Sequence, residues 1–238
     1  MSPQHGCSSG DFVARAENLE QSDLRRREIL VTALHVIAER GYSETRVADI
    51  AERAGISNGL VMYYYPTKVE LLIASIRWAE DHWYEELEEA LVDAKTATER
   101  LEGLICIFIM GGPTPILQME WSLWLDLWSQ ATRDEQVAEV HKESDIRWRT
   151  MLTKVIEAGL KTHEFSLIGS LNNTVIALAA MFDGFAVNVA CHDGTVDPEL
   201  AFTIAMRFAS LSLGFVWDLD EETTKRVRRY LEPEVAIR

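Results

Sequence analysis

Residues 45–72, TRVADIAERAGISNGLVMYYYPTKVELL, constrain the fold more than any other part of the chain. They compress two short apolar-periodic segments, a glycine between them, three consecutive tyrosines and a lysine into one short stretch. Val47, Ile50, Ala51 and Ala54 recur at helical spacing, which predicts a short helix with one apolar face and Thr45 as its cap. Gly55 suits a left-handed residue at a helix end, Ile56 fills the corner, and Ser57 can cap a second helix running on to Tyr64. Two short helices meeting at a tight glycine turn form the geometry that places the second in a DNA major groove.

The second of these helices carries residue types suited to nucleic acid. Gly59 costs about 1 kcal/mol against alanine in a helix interior, a choice that close approach to DNA would explain. Asn58 can reach base edges or phosphate and Leu60 a thymine methyl, while Tyr63 and Tyr64 end in hydroxyls able to meet phosphate. Pro66 ends the helix, and Thr67 with Glu70 forms a capping box for the next. Lys68, a cation in the first turn of that helix, is locally unfavourable but suits a backbone phosphate. Upstream, Ile29, Leu30, Ala33, Leu34, Ile37 and Ala38 form one stripe of a bracing helix closed by Gly41. Arg25, Arg26 and Arg27 at its start suit either an extra phosphate anchor or a solvated helix end.

Gly41-Tyr42, Thr45, Ile50-Ala51, Ala54-Gly55-Ile56-Ser57, Gly59, Tyr63, Lys68 and Leu71-Leu72 together resemble the N-terminal domain of the TetR family of transcriptional repressors, over about residues 25–72. The resemblance implies an all-α fold: a three-helix helix-turn-helix DNA-binding domain joined by a long helix to a larger helical ligand-binding and dimerisation domain. By position it implies that Thr45, Arg46, Ser57, Tyr63 and Lys68 meet phosphates, and that Asn58, Gly59, Leu60 and Tyr64 lie at the bases. Met62 and Tyr65 depart from the commoner family pattern, and so leave the operator sequence unread.

The expected organisation is a disordered tail over residues 1–21, the DNA-binding domain over 22–72, the helical ligand-binding and dimerisation domain over 73–218, and a C-terminal tail with a short surface helix over 219–238. The formal net charge of −15 is unevenly shared. Residues 1–72 hold 8 Lys and Arg against 10 Asp and Glu, so the remainder carries 15 against 28 and most of the acid lies outside the head. No segment reads as membrane-spanning, since the apolar stretch over 175–191 is broken by Asp183 and Asn188, and residues 1–21 lack the apolar core of a secretory signal. A cytoplasmic protein is expected. Cys7, Cys106 and Cys191 are too scattered for a disulfide framework or zinc spacing. With no nucleophile elbow, phosphate loop or dinucleotide fingerprint, no catalytic, metal or cofactor site is expected.

In the second domain, Thr96 with Glu99 and Thr132 with Glu135 read as helix starts, and Asp197 with Pro198 as another. The segments 169–191 and 197–217 carry more apolar surface than a small bundle hides. Phe182, Phe185, Val189, Phe202, Phe208 and Phe215 are therefore expected in a four-helix homodimer interface, which would present two heads to a palindromic operator. Trp121, Trp124 and Trp128 share one helix face, Trp148 follows on the next helix, and Trp78 and His82 share a face of the connecting helix. These can be packed core, or can wall a small-molecule pocket in which a carboxylate such as Asp183 would favour an organic cation. Residues 121–134, WSLWLDLWSQATRD, with Asp183-Gly184, also resemble the C-terminal domain of choline-responsive betaine-pathway repressors. The competing reading is a helical dimeric protein-binding adaptor with a vestigial head.

Overall fold

The computed structural model describes residues 9–115, 121–192 and 194–232, with side chains from residue 21 onward. Among the described residues the chain forms ten helices and no strands, and it divides into two units, 1–78 and 79–238. The division falls after Trp78 rather than after residue 72.

The first unit is built on α1 (Ser9–Arg40), α2 (Val47–Arg53), α3 (Asn58–Tyr64) and the start of α4 (Lys68–Ala90). Ile29, Leu30, Ala33 and Val36 of α1 close over Ile50 and Ala51 of α2, Val61 of α3 and Leu71 of α4. Burying each of the Ile, Leu and Val side chains contributes about 1.5–3 kcal/mol, which is what holds short helices that would not persist alone. Gly41, at φ 80°, closes α1. Gly55, at φ 65°, turns the chain between α2 and α3, and the Ile56 N–H donates to Ala51 O at 3.0 Å to complete the corner. The helix α1 reaches back into the segment expected to be a disordered tail, since residues 9–21 are helical. Ala14, Arg15, Ala16, Glu17 and Leu19 are all good helix formers. Residues 1–8 lie outside the described residues.

The second unit contains the remainder of α4 with α5 (Ala97–Met110), α6 (Trp121–Ala131), α7 (Glu135–Lys161), α8 (Leu171–Ala190), α9 (Pro198–Leu213) and α10 (Glu221–Leu231). At its centre α5 is buried on nearly every side, with Leu101, Leu104, Ile105, Cys106 and Ile107 meeting α7, α8 and α9. Thr96 caps α5 by accepting from the Glu99 N–H at 3.0 Å, and Asp197 caps α9 ahead of Pro198. The start of α7 is corrected: Asp134 accepts from the N–H groups of Gln136 and Val137, while the Thr132 hydroxyl turns back to Ser129 O. A carboxylate two residues nearer the helix outcompetes the hydroxyl.

The expected surface tail is also corrected. In α10, Val227 and Tyr230 are buried against α5, and Glu102, fully buried, accepts from Arg226 Nε at 2.6 Å and from Trp217 Nε1 at 2.8 Å. A Cβ on Gly103 would overlap Leu91 and the Tyr230 ring, so glycine there lets α10 approach α5 closely. By length and composition α8 is apolar enough to cross a membrane, a test that core helices also pass. Its Val175, Leu178, Phe182 and Ala186 belong to the protein core.

Candidate DNA-reading surface and aromatic cavity

In the first unit, local capping determines which side chains remain free to meet a partner. The Ser57 hydroxyl accepts from the Leu60 N–H at 3.2 Å, starting α3 and leaving Ser57, Asn58 and Gly59 exposed at its first turn. A Cβ on Gly59 would meet nothing nearer than Ser57 Oγ at 4.0 Å, so the protein's own packing does not require glycine there. Arg46 is exposed, its backbone N–H held by the Asp49 carboxylate at 2.8 Å. Tyr63 is 78 % exposed, whereas Leu60 is half-buried.

Two of the expected contact residues, Thr45 and Tyr64, face inward instead, and a third, Lys68, is engaged by the head's own groups while staying half-exposed. Thr45 is 1 % exposed and its hydroxyl donates to Gly41 O at 2.8 Å, so it fastens the end of α1 to the start of α2. Tyr64 packs against the head core, with Arg26 over its ring at 5.4 Å and the edge of Tyr63 at 5.3 Å. Tyr64 lies about 100° around the helix from Tyr63, on the side turned to the head core. Lys68 donates to Ser43 O at 3.3 Å and sits over the Tyr42 ring at 4.2 Å. The arginine cluster is likewise engaged: Arg25 pairs with Glu28 at 2.7 Å, and Arg27 lies over the Trp78 ring at 5.7 Å.

The second unit contains a half-open cavity of about 470 Å³, within the range of roughly 300–1,000 Å³ usual for small-molecule sites. It gathers Trp121, Trp124 and Trp128 from α6, Trp148 from α7 and Asp183 from α8. Trp78 and His82 are not in its lining. Trp78 joins the head core, because the face of α4 turned to the cavity carries Glu80, Trp83 and Tyr84 instead. Those three, with Phe108, His141 and Asp145, were missed in the sequence. Glu80, Trp83 and Tyr84 at spacings of three and four were a legible face, and Phe108 lay inside an apolar run whose partners were unknown.

The rings form one continuous aromatic wall. Phe108 stacks on Trp148 at 4.1 Å and 7° and meets the edge of Trp121 at 5.2 Å, and Trp121 meets Trp128 at 6.2 Å. Trp83 stands edge-on to both Tyr84 and Trp148. Glu80, Asp145 and Asp183 are the carboxylates of the lining, and no lysine or arginine is among its described residues. Arg149 pairs with Asp145 at 2.6 Å. Burial, reinforced by the charge of Asp145, pushes the Asp183 carboxyl up to about 7. Burial likewise raises the Tyr84 phenol.

Among the residues expected at a dimer interface, Phe182 and Phe202 are core, at 0 % and 2 % exposed. Phe185 and Val189 pack against that core, Val189 also lines the cavity, and Phe215 rests on Phe165 at 5.0 Å. Only Phe208 of the six is exposed. It lies in an outward apolar stripe of α9 with Leu200, Ile204 and Leu211, and Ile176 of α8 is also exposed.

A helix-turn-helix head, followed by a helical unit with an aromatic cavity, defines a class of DNA-binding transcriptional regulators. The N-terminal family model of bacterial regulatory proteins of the tetR family matches residues 29–75, and that of the BetI-type transcriptional repressor C-terminal domain matches residues 107–214. The chain is 26 % identical over 188 residues to the HTH-type transcriptional regulator BetI of Brucella canis, covering 79 % of this chain and 90 % of that protein. It is 24 % identical to BetI of Escherichia coli O157:H7, covering 82 % and 97 %. Among solved structures it is similar to a transcriptional regulator from Saccharomonospora viridis in complex with choline, at 27 % identity and a TM-score of 0.69, over 79 % of this chain and 96 % of that one. The chain belongs to the TetR family of transcriptional regulators.

Proposed function

We propose that the protein is a homodimeric, cytoplasmic repressor that leaves a palindromic operator when an organic cation enters the cavity. The observation that carries this reading is the composition of the lining: a wall of aromatic rings and three carboxylates, with no lysine or arginine among the described lining residues. Ring faces attract cations through their quadrupole, most strongly when the site is desolvated, and Asp183 supplies a charge that a bound cation would favour ionised. The choline found in the Saccharomonospora viridis relative supports a quaternary ammonium as the head group. No catalytic step is part of this reading.

The DNA surface is assigned to the exposed residues Arg46, Ser57, Asn58, Gly59 and Tyr63, with Leu60 beside them and Lys68 at the first turn of α4. The α9 stripe of Ile204, Phe208 and Leu211, with the exposed Ile176 of α8, is assigned to the second copy. A two-fold dimer would place two copies of α3 one DNA turn apart. Coupling is assigned to α4, since one helix carries both Lys68 of the head and Glu80, Trp83 and Tyr84 of the cavity. Inducer binding must favour the arrangement that does not fit DNA, and such couplings are typically about 1–3 kcal/mol.

The test is binding of the purified protein to fragments from the flanks of its own gene, at two salt concentrations and against random competitor DNA. Specific, salt-dependent retention is expected. No preference over random DNA would favour a protein-binding adaptor instead. Replacing Phe208 and Leu211 together by Asp should yield a monomer by light scattering with the helix content unchanged; a dimer that persists would remove this stripe from the interface.

A further inference from the structure

Packing leaves α3 one narrow outward face. Val61 is buried and Tyr64 packs on the head core, whereas Asn58, Gly59, Met62 and Tyr63 are exposed and Leu60 is half-buried. At about 100° per residue, Gly59 lies opposite Val61 and Tyr64, with Met62 about 60° to one side of it and Tyr63 about 40° to the other. Leu60 is about 100° from Gly59, beyond Tyr63. The thymine-methyl contact suggested for Leu60 by the sequence is thus turned to the flank of the helix, and the large apolar side chain at the front is Met62, 39 % exposed.

The two side chains that flank Gly59 differ in chemistry. The Tyr63 hydroxyl can donate to a phosphate. A methionine thioether donates nothing and accepts only weakly, so Met62 has little to offer a phosphate or the polar edges of the bases. It offers an unbranched, polarisable apolar arm that adapts to the surface it meets, and the apolar group that a major groove presents is the C5-methyl of thymine. Gly59, which the protein's own packing does not require, lets the helix come close enough for that arm to reach the bases.

We propose that Met62 is a specificity residue for the operator, selecting thymine at one position of each half-site by packing its side chain on the C5-methyl group. The inference rests on the assignment of the exposed face of α3 to DNA, and adds which residue reads and what it reads. A phosphate contact strengthens all sequences alike. A methyl contact is lost with the other three bases, and also with uracil, which keeps thymine's base pairing and lacks its methyl group.

The probes are sites selected by the full-length wild-type protein from random duplex DNA, so no operator need be known in advance. Each thymine of a selected half-site is replaced singly by deoxyuridine, and affinity is read by fluorescence anisotropy at fixed salt. One replacement should weaken binding about fourfold, the value of one buried methyl group. Met62→Ala, a change outside the head core, should bring the thymine and uracil forms of that site to the same affinity. Tyr63→Phe should weaken both forms and leave their ratio at about fourfold, as a phosphate contact requires. Selected half-sites in which no uracil replacement matters, or a thymine preference that survives unchanged in Met62→Ala, overturn the proposal while leaving DNA binding by α3 intact. Selection that yields no preferred sequence overturns the two together.

Discussion

The two units solve opposite problems with the same element, the α-helix. In the head, the side chains that matter point outward from a segment of fewer than thirty residues, and the interior only has to hold that segment rigid. In the second unit they point inward and come from α4, α5, α6, α7 and α8, residues 80 to 192. A contiguous surface can be read along one helix; a cavity exists only once five helices have packed. The chemistry differs accordingly. The head leaves Gly59 bare where packing would accept a larger residue, while the second unit spends burial on groups that prefer water, including Glu102, Asp183 and Trp148 Nε1.

The largest expected effect lies in the second unit. Glu102→Ala leaves Arg226 and Trp217 Nε1 without the carboxylate they share, and breaking such a buried pair should destabilise that unit by about 3–5 kcal/mol in urea unfolding followed by tryptophan fluorescence. A change below about 1 kcal/mol would return α10 to the status of a surface tail. In the head, Gly59→Ala should act with opposite signs on fold and function. Thermal stability should rise by up to about 1 kcal/mol, because nothing in the protein meets the new methyl group, while operator affinity falls at least about tenfold. Unchanged affinity would take α3's first turn away from the DNA.

The cavity should also respond to pH where the head does not. With Asp183 pushed up to about 7, its carboxyl holds its proton at pH 6 and has largely lost it by pH 8. Affinity for a quaternary ammonium should therefore rise about tenfold across that interval, and Asp183→Asn should flatten the curve. The linked stability runs the other way: the contribution of the protonated group is complete below its ordinary value of 3.8 and is lost as pH rises through about 7. A slope that survives in Asp183→Asn would take the titrating proton away from Asp183. The smallest effect separates neighbours in the head: Tyr63→Phe should weaken DNA binding a few-fold at low salt, and Tyr64→Phe should not. Equal losses would mean that Tyr64 turns outward on DNA.

How much was legible follows the same division. The turn at Gly55, the caps Ser57, Thr96 and Asp197, and the extent of α9 to within a few residues rest on neighbours in sequence, and they stand in the structure as read. What went astray needed a partner from far along the chain. Thr45 is a plausible phosphate ligand until Gly41 O takes its hydroxyl, and Tyr64 until α1 covers it. Phe182 and Phe202 look like interface until α5 buries them, and Trp78 looks like cavity wall until its face of α4 proves to meet α1. Helical periodicity shows that a face is apolar, and packing alone decides what it is packed against.

The central claim is that the cavity and the DNA surface are coupled. Fluorescence anisotropy of a labelled operator fragment, titrated with protein in the presence and absence of saturating choline, measures that coupling directly. The account predicts a loss of operator affinity of about 5- to 150-fold with choline in the wild type and little change in Asp183→Asn. Operator affinity that choline leaves untouched, while calorimetry shows choline bound, would contradict it.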